Sequence, residues 1–342
     1  MQIFITVLVT IGAEIVLFGG VALLFWVRMP RNYAKKNRAA WTNVKQFPPG
    51  LEKECGEKIE RINDLIYPSL YPNNTFDLYL PKERKEGQKF PVLLWVHGGG
   101  WFAGDKGGSA NLLKFAALNG YCGIGMNYVL APEKRYPAQL KQIRDILAHI
   151  PALSAQYPAD ASRIVIGGDS AGGNLTAQYL AVATNKTLAA KIKIGKAFYA
   201  ESVKAAVLLS APLDWNTLLP RGNFQATLMR IIWTNIYFGF RPDKKKQKNL
   251  CATQDYITSS FPATFLTTGN QAGLEGHFEA QNKRFGAALR QSGVSVEELY
   301  FDPAEHKDVP HVYLHDLSDA AALEAINKVV AFMNKTVKRE PV

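Results

Sequence analysis

The stretch Gly167-Gly168-Asp169-Ser170-Ala171-Gly172-Gly173-Asn174 constrains this chain most. The β-branched run Ile164-Val165-Ile166 precedes it, and a helix-forming run from Leu175 to Ala183 follows it. A serine between glycines on a strand-to-helix turn has one use that a plain turn lacks: it lifts the hydroxyl above a sheet edge. Gly168 and Gly172 suit a crossing too tight for a Cβ. The helix starts at the serine, so its free N–H groups and positive end face whatever the hydroxyl attacks.

A second motif lies upstream. Pro91-Val92-Leu93-Leu94-Trp95-Val96 is apolar throughout, as a strand buried on both faces should be. His97-Gly98-Gly99-Gly100-Trp101 follows directly. Three glycines let backbone N–H groups approach a ligand closely. Two of them, with the N–H of Ala171, form a candidate oxyanion hole.

Further strands are read at Thr75–Leu80, Tyr121–Asn127, Val203–Leu209, Pro262–Thr268 and Val296–Phe301. Helices are read at Leu51–Leu65, Leu112–Leu118, Gln139–Ile150, Phe278–Leu289 and Ala320–Met333. This alternation predicts an α/β fold with a mostly parallel sheet covered on both faces. Trp215 to Tyr256 breaks the rhythm and reads as an inserted cap. The aromatics of Leu228–Phe240 either line a pocket or pack the cap on the sheet. Lys244-Lys245-Lys246-Gln247-Lys248 reads as a solvated loop, with membrane-surface contact the alternative.

The chain has 342 residues, 47% of them hydrophobic, which is ample for a full core. Its formal net charge of +11 fits nucleic acid or an anionic membrane, and no nucleic-acid motif accompanies it. Gln2–Val27 is apolar except for Glu14, long enough to cross a bilayer. Arg28, Arg31, Lys35, Lys36 and Arg38 follow it, which predicts a single-pass anchor with the domain on the cytoplasmic side. An uncleaved signal sequence with the domain outside is the alternative. The division expected is an anchor over 1–28, a basic linker and N-terminal cap region over 29–65, and the main domain over 66–342 with its cap insertion about 215–256. Cys55, Cys122 and Cys251 are too scattered for a disulfide scaffold or a cysteine metal site. No cofactor and no metal is expected, and the oligomeric state is open.

The motifs His97–Gly100 and Gly168–Gly173 resemble those of the α/β-hydrolase superfamily, in its hormone-sensitive-lipase-like esterase branch. Asn127–Glu133 resembles that branch's Asn-Tyr-Arg-Leu-Ala-Pro-Glu, with Val129 in place of Arg. Trp101 and Gly104-Asp105-Lys106 also look like small esterases and formamidases. The resemblance covers roughly Phe76 to Lys335. It implies an α/β-hydrolase fold and cleavage of short- or medium-chain carboxylic esters through an acyl-enzyme. It implies Ser170 as nucleophile and Gly99, Gly100 and Ala171 as oxyanion donors.

The general base should follow the last strand. His306 and His311 both qualify. Spacing from Gly293 favours His306; spacing to the terminal helix and the Pro310-His311-Val312-Tyr313 pattern favour His311, which is taken as the base. His149, His277 and His315 are read as ordinary helix or surface residues.

The acid is the anomaly. Gly269-Asn270-Gln271-Ala272-Gly273-Leu274-Glu275 puts Ala272 where the resemblance calls for aspartate. Alanine cannot accept an imidazole N–H. Three readings stand: Glu275 reaches the histidine instead, the chain is a disabled variant, or it is a non-catalytic binding protein that keeps the pocket; Glu275 is the best local substitute and is taken as the acid, although its place at a helix start also suits an ordinary N-terminal carboxylate. Asp302 and Asp308 share the base's own loop. Formamide and amide hydrolysis use the same site.

Overall fold

The computed structural model describes residues 28–38, 47–196, 201–219, 224–240 and 243–337. Gln2–Val27, read above as an anchor, lies outside them. Among the described residues no helix is long and apolar enough to cross a membrane.

Eight strands form one sheet in the order β1-β2-β4-β3-β5-β6-β7-β8. β1 (Ile59–Ile66) and β2 (Thr75–Pro81) pair antiparallel, and β2 runs antiparallel to β4 (Cys122–Met126). From β4 through β3 (Phe90–Val96), β5 (Ala159–Asp169), β6 (Val203–Leu209), β7 (Ala263–Thr268) and β8 (Val296–Tyr300), every pairing is parallel. All seven residues of β3 are buried, which explains its unbroken apolar run.

Two apolar cores flank the sheet. One gathers α4 (Ala138–Leu153) and α5 (Ala171–Thr184) around Leu94, Ile166 and Leu208. The other gathers α3 (Ala110–Leu118) and α10 (Ala320–Val337) around Leu93, Val165 and Val207. Successive residues of each strand thus serve opposite cores, as the period of two requires.

Three expectations change. Residues 28–38, expected to be the end of the anchor and the start of the basic linker and N-terminal cap region, are helical (α1) and docked. Ala34 is fully buried, Tyr33 packs edge-on against Phe102 at 5.8 Å, and Arg38 Nε donates to the Phe102 carbonyl at 2.7 Å. Leu51–Leu65 is not one helix. It divides into α2 (Pro49–Lys58) and β1, because from Ile59 the backbone hydrogen-bonds to β2, a pairing between distant residues that local periodicity cannot register. The lysine run is not a loop but α8 (Lys244–Leu250), and Lys244 donates to Asn235 at 2.7 Å. α6 (Lys186–Ile192) was not anticipated.

In the cap, α7 (Phe224–Tyr237) buries its C-terminal half. Tyr237 stacks on Trp215 at 5.1 Å and lies 5.2 Å from Trp101. Tyr237 and Phe238 are 0% and 1% exposed, so these rings pack the segment expected to be a cap onto the rest of the domain.

Candidate active site

β5 delivers Ser170 at the sheet's C-terminal edge, and α5 begins at the next residue. Ser170 has φ 50° and ψ −120°, a backbone state that side chains with a Cβ rarely adopt. Its N–H donates to the Leu209 carbonyl at 2.7 Å, and its carbonyl accepts the Asn174 N–H at 3.0 Å. These bonds hold the turn against its strain. A Cβ on Gly172 would lie 1.9 Å from the Val96 carbonyl, so the crossing between α5 and β3 admits only glycine there.

The glycine loop follows β3. Gly99 has φ 112°, and its carbonyl accepts the N–H groups of Phe102 and Ala103 at 3.1 and 2.8 Å. Gly99, Gly100 and Ala171 donate no backbone hydrogen bond among the described residues. Asp169, 3% exposed, ties this loop to the elbow. Its Oδ2 accepts the Gly98 N–H at 2.9 Å and its Oδ1 the Trp95 indole N–H at 2.8 Å. Burial pushes the Asp169 carboxyl up, but the His315 ring and the Trp95 N–H outweigh it, and the group is held below the usual carboxylate range.

His311 stands on the loop after β8. Its Nε2 lies 3.0 Å from Ser170 Oγ, and its Nδ1 lies 2.5 Å from Glu275 Oε1. A carboxylate only accepts, so Nδ1 carries the proton and Nε2 is left free to accept from the serine hydroxyl. Glu275 is 1% exposed, and its other oxygen accepts Ser210 Oγ–H and the Gly269 N–H, both at 2.8 Å. Burial pushes the Glu275 carboxyl up, but the His311, Ser210 and Gly269 donors outweigh it, and it too is held below its usual range. It sits in the first turn of α9 (Leu274–Gln291), where the helix dipole favours a negative charge.

The other candidates fall elsewhere. Ala272 is exposed on the turn before α9. The carboxylate facing the imidazole is therefore Glu275, three residues on, and Ala272 gives no sign of a missing partner. His306 Nε2 lies 3.2 Å from Glu324 on α10, and its ring packs on Phe301 at 4.8 Å, away from Ser170. Asp302 and Asp308 are exposed. His315 is not a surface residue: it is 8% exposed, with Nε2 3.4 Å from Asp169 Oδ1. His97 is buried and stacks on Tyr128 at 4.3 Å, and burial pushes its pKa down.

Sequence reasoning passed over Ser210 and Asn270. Ser210 directly follows β6 and has φ 46°, and Asn270 bridges to the His311 loop by accepting the Val309 N–H at 2.7 Å and donating to the His306 carbonyl at 2.6 Å. The available signal was position: Ser210 is the first residue after β6 and Asn270 the second after β7, both at the sheet edge that carries Ser170. Among the described residues no group of three or more His, Cys, Asp or Glu could hold a metal ion.

Strand order, serine elbow, glycine loop and a histidine after the last strand together define an α/β-hydrolase fold with the motifs of the hormone-sensitive-lipase-like branch. The BD-FAE family model matches residues 76–274, more than half of the chain, and the chain belongs to that family. It is 30% identical over 159 residues to arylacetamide deacetylase of Bos taurus, covering 45% of this chain and 37% of that one. It is 26% identical over 242 residues to Esterase LipQ of Mycobacterium tuberculosis, covering 69% and 55%. The matched segments thus span only part of these curated relatives. Among solved structures, esterase B from Lactobacillus rhamnosis aligns with a TM-score of 0.71 at 19% identity, over 99% of this chain and 97% of that one. A bacterial heroin esterase aligns at 0.64 and 20%, over 90% and 97%. Those two likenesses speak for the fold.

Proposed function

We propose that this chain is a serine carboxylesterase acting on short- or medium-chain acyl esters, held at a membrane by Gln2–Val27 with its domain on the cytoplasmic side. One observation carries the catalytic reading: the unbroken hydrogen-bonded line from Ser170 Oγ through the His311 ring to the buried Glu275 carboxylate.

In this reading Ser170 Oγ attacks the ester carbonyl carbon while its proton passes to His311 Nε2. The carbonyl electron pair moves onto oxygen, where the N–H groups of Gly99, Gly100 and Ala171 stabilise it. The pair then re-forms the double bond, and the C–O bond to the alcohol breaks. His311 Nε2–H protonates the departing alkoxide, leaving an acyl ester on Ser170. Water repeats the sequence, with His311 again as base, and releases the acid. Glu275 keeps the proton on Nδ1 and stabilises the imidazolium.

The name of the bovine relative, an arylacetamide deacetylase, supports amides as a second substrate class for the same steps. The anchor reading rests on the length and apolarity of Gln2–Val27 and the basic residues after it. The test is steady-state hydrolysis of a p-nitrophenyl acyl series and matched anilides. Turnover that is abolished in Ser170→Ala and strongly reduced in Glu275→Gln supports the reading. Turnover that survives Ser170→Ala overturns it, and the ester-to-anilide ratio decides the leaving-group class.

A further inference from the structure

The N-terminal half of α7 carries an apolar face that the described residues leave largely exposed. Phe224, Leu228 and Ile231 recur at i, i+4 and i+7, so they share one side of the helix. Phe224 is 83% exposed and Ile231 39%. Leu228 is only partly buried against the core. Exposed aromatic and branched side chains aligned along one helix face mark a surface that meets something apolar.

α1 indicates what that is. Its first described residue, Arg28, directly follows the apolar run Gln2–Val27. Eleven helical residues extend about 16 Å, so every part of α1 stays close to the point where that run ends. α1 docks on Phe102, through Tyr33 at 5.8 Å and through Arg38. The same Phe102 ring lies 6.2 Å from Trp233 of α7. Phe102 in turn belongs to the loop whose Gly98 lies against Ser170. One ring therefore ties together α1, which follows the bilayer-length segment in sequence, α7 and the glycine loop. The outward side of α1 exposes Arg28, Arg31 and Lys35, which suits anionic headgroups.

We propose that the Phe224–Leu228–Ile231 face of α7 rests in the headgroup boundary of an anionic bilayer and that apolar esters enter the site from that bilayer. The proposal rests on the esterase and anchor readings above, and it adds a second contact that orients the domain. A single flexible tether would leave the entrance free to face the aqueous phase. A tether packed through α1, plus an apolar face on α7, fixes the orientation of the domain against the lipid.

The experiment uses the full chain in nanodiscs of phosphatidylcholine and phosphatidylserine. Phe224→Cys carries an environment-sensitive nitrobenzoxadiazole label; Cys55, Cys122 and Cys251 are buried and do not compete. Lys328→Cys, exposed on α10, is the control. Nitroxide-bearing lipid should quench the label at 224 and leave the label at 328 bright. In parallel, Phe224→Asp/Ile231→Asp should lower turnover of disc-dissolved p-nitrophenyl octanoate by about tenfold or more and leave water-soluble p-nitrophenyl acetate within about twofold. Retained acetate turnover also reports that the variant is folded.

Equal quenching at both positions, or none at 224, overturns the proposal. None at 224 together with a dry label would mean that Gln2–Val27 folds back over the face or that a second copy covers it. An unchanged octanoate rate in the double variant overturns the route of substrate entry. Quenching at 224 with no turnover of either ester by the unmodified chain would leave the docked face standing and overturn the esterase reading instead.

Discussion

Glu275 and His311 meet across 36 residues of sequence, with Oε1 2.5 Å from Nδ1 and the carboxylate 1% exposed. The carboxylate that faces the imidazole comes from the first turn of α9, where it also accepts hydrogen bonds from Ser210 and Gly269. Replacing Glu275 by Gln removes the negative charge and lets the ring settle in the wrong tautomer. Turnover should fall about 10³- to 10⁴-fold, with far less change in KM. Ala272→Asp added to Glu275→Gln should restore nothing, because position 272 is exposed and does not face the ring. Steady-state kinetics of the two variants check both statements.

That pairing also shows where the sequence stopped being readable. The strands β3 and β5, the glycine loop and the elbow are local patterns, and each was legible from a short window. The start of α9 was not. Gly273 and Gly276 weaken the helical signal, so the helix was read from Phe278, whereas the backbone turns helical at Leu274. A carboxylate at a helix start suits the dipole with or without a partner, and only the fold, which brings α9 to the His311 loop, distinguishes the two for Glu275. His315 was misread for a related reason: its partner is Asp169, brought close only by the fold. The choice between His306 and His311 had the same character. Spacing offered both, and only the packing of Phe301 and Glu324 draws His306 away from the serine.

Asp169 should matter to rate without touching substrate. It positions the glycine loop through the Gly98 N–H while holding the Trp95 indole. An asparagine has one acceptor oxygen where the carboxylate has two, so Asp169→Asn leaves one of these buried donors poorly paired. Stability should drop by about 1–3 kcal/mol. The fall in kcat should reach about 10- to 100-fold as the oxyanion donors drift. Denaturant melts and kcat measured separately from KM test this.

The strain at Ser170 has a measurable counterpart. With φ at 50°, glycine is more comfortable there than serine. Ser170→Gly should abolish turnover and raise stability by about 1 kcal/mol. Urea unfolding of the two proteins gives the difference directly. Equal or lower stability in the glycine variant would mean that the bonds around the turn already relieve the strain.

Asp77 provides a pH test. It is fully buried on β2, with Lys106 Nζ 2.9 Å and Arg61 2.8 Å from its oxygens. Burial pushes its carboxyl up, but Arg61, Lys106 and the Asp64 N–H hold it below the usual range. A carboxyl depressed by folding adds stability above its unfolded pKa and loses it as pH falls through its folded pKa. Asp77→Asn should cost about 3 kcal/mol near neutral pH, since it leaves buried Lys106 with only the exposed Asp64. The gap between the two proteins should narrow at acid pH, below the ordinary carboxylate range. Thermal melts across that range test the sign.

The most direct test of the Ser170–His311–Glu275 relay is the rate at which a fluorophosphonate forms a covalent adduct, followed by intact mass and peptide mapping. One adduct on Ser170 is expected, with labelling slowed by orders of magnitude in Glu275→Gln and unchanged in His306→Ala. An adduct that forms elsewhere, or one that forms on Ser170 as fast without the Glu275 carboxylate as with it, would contradict the relay.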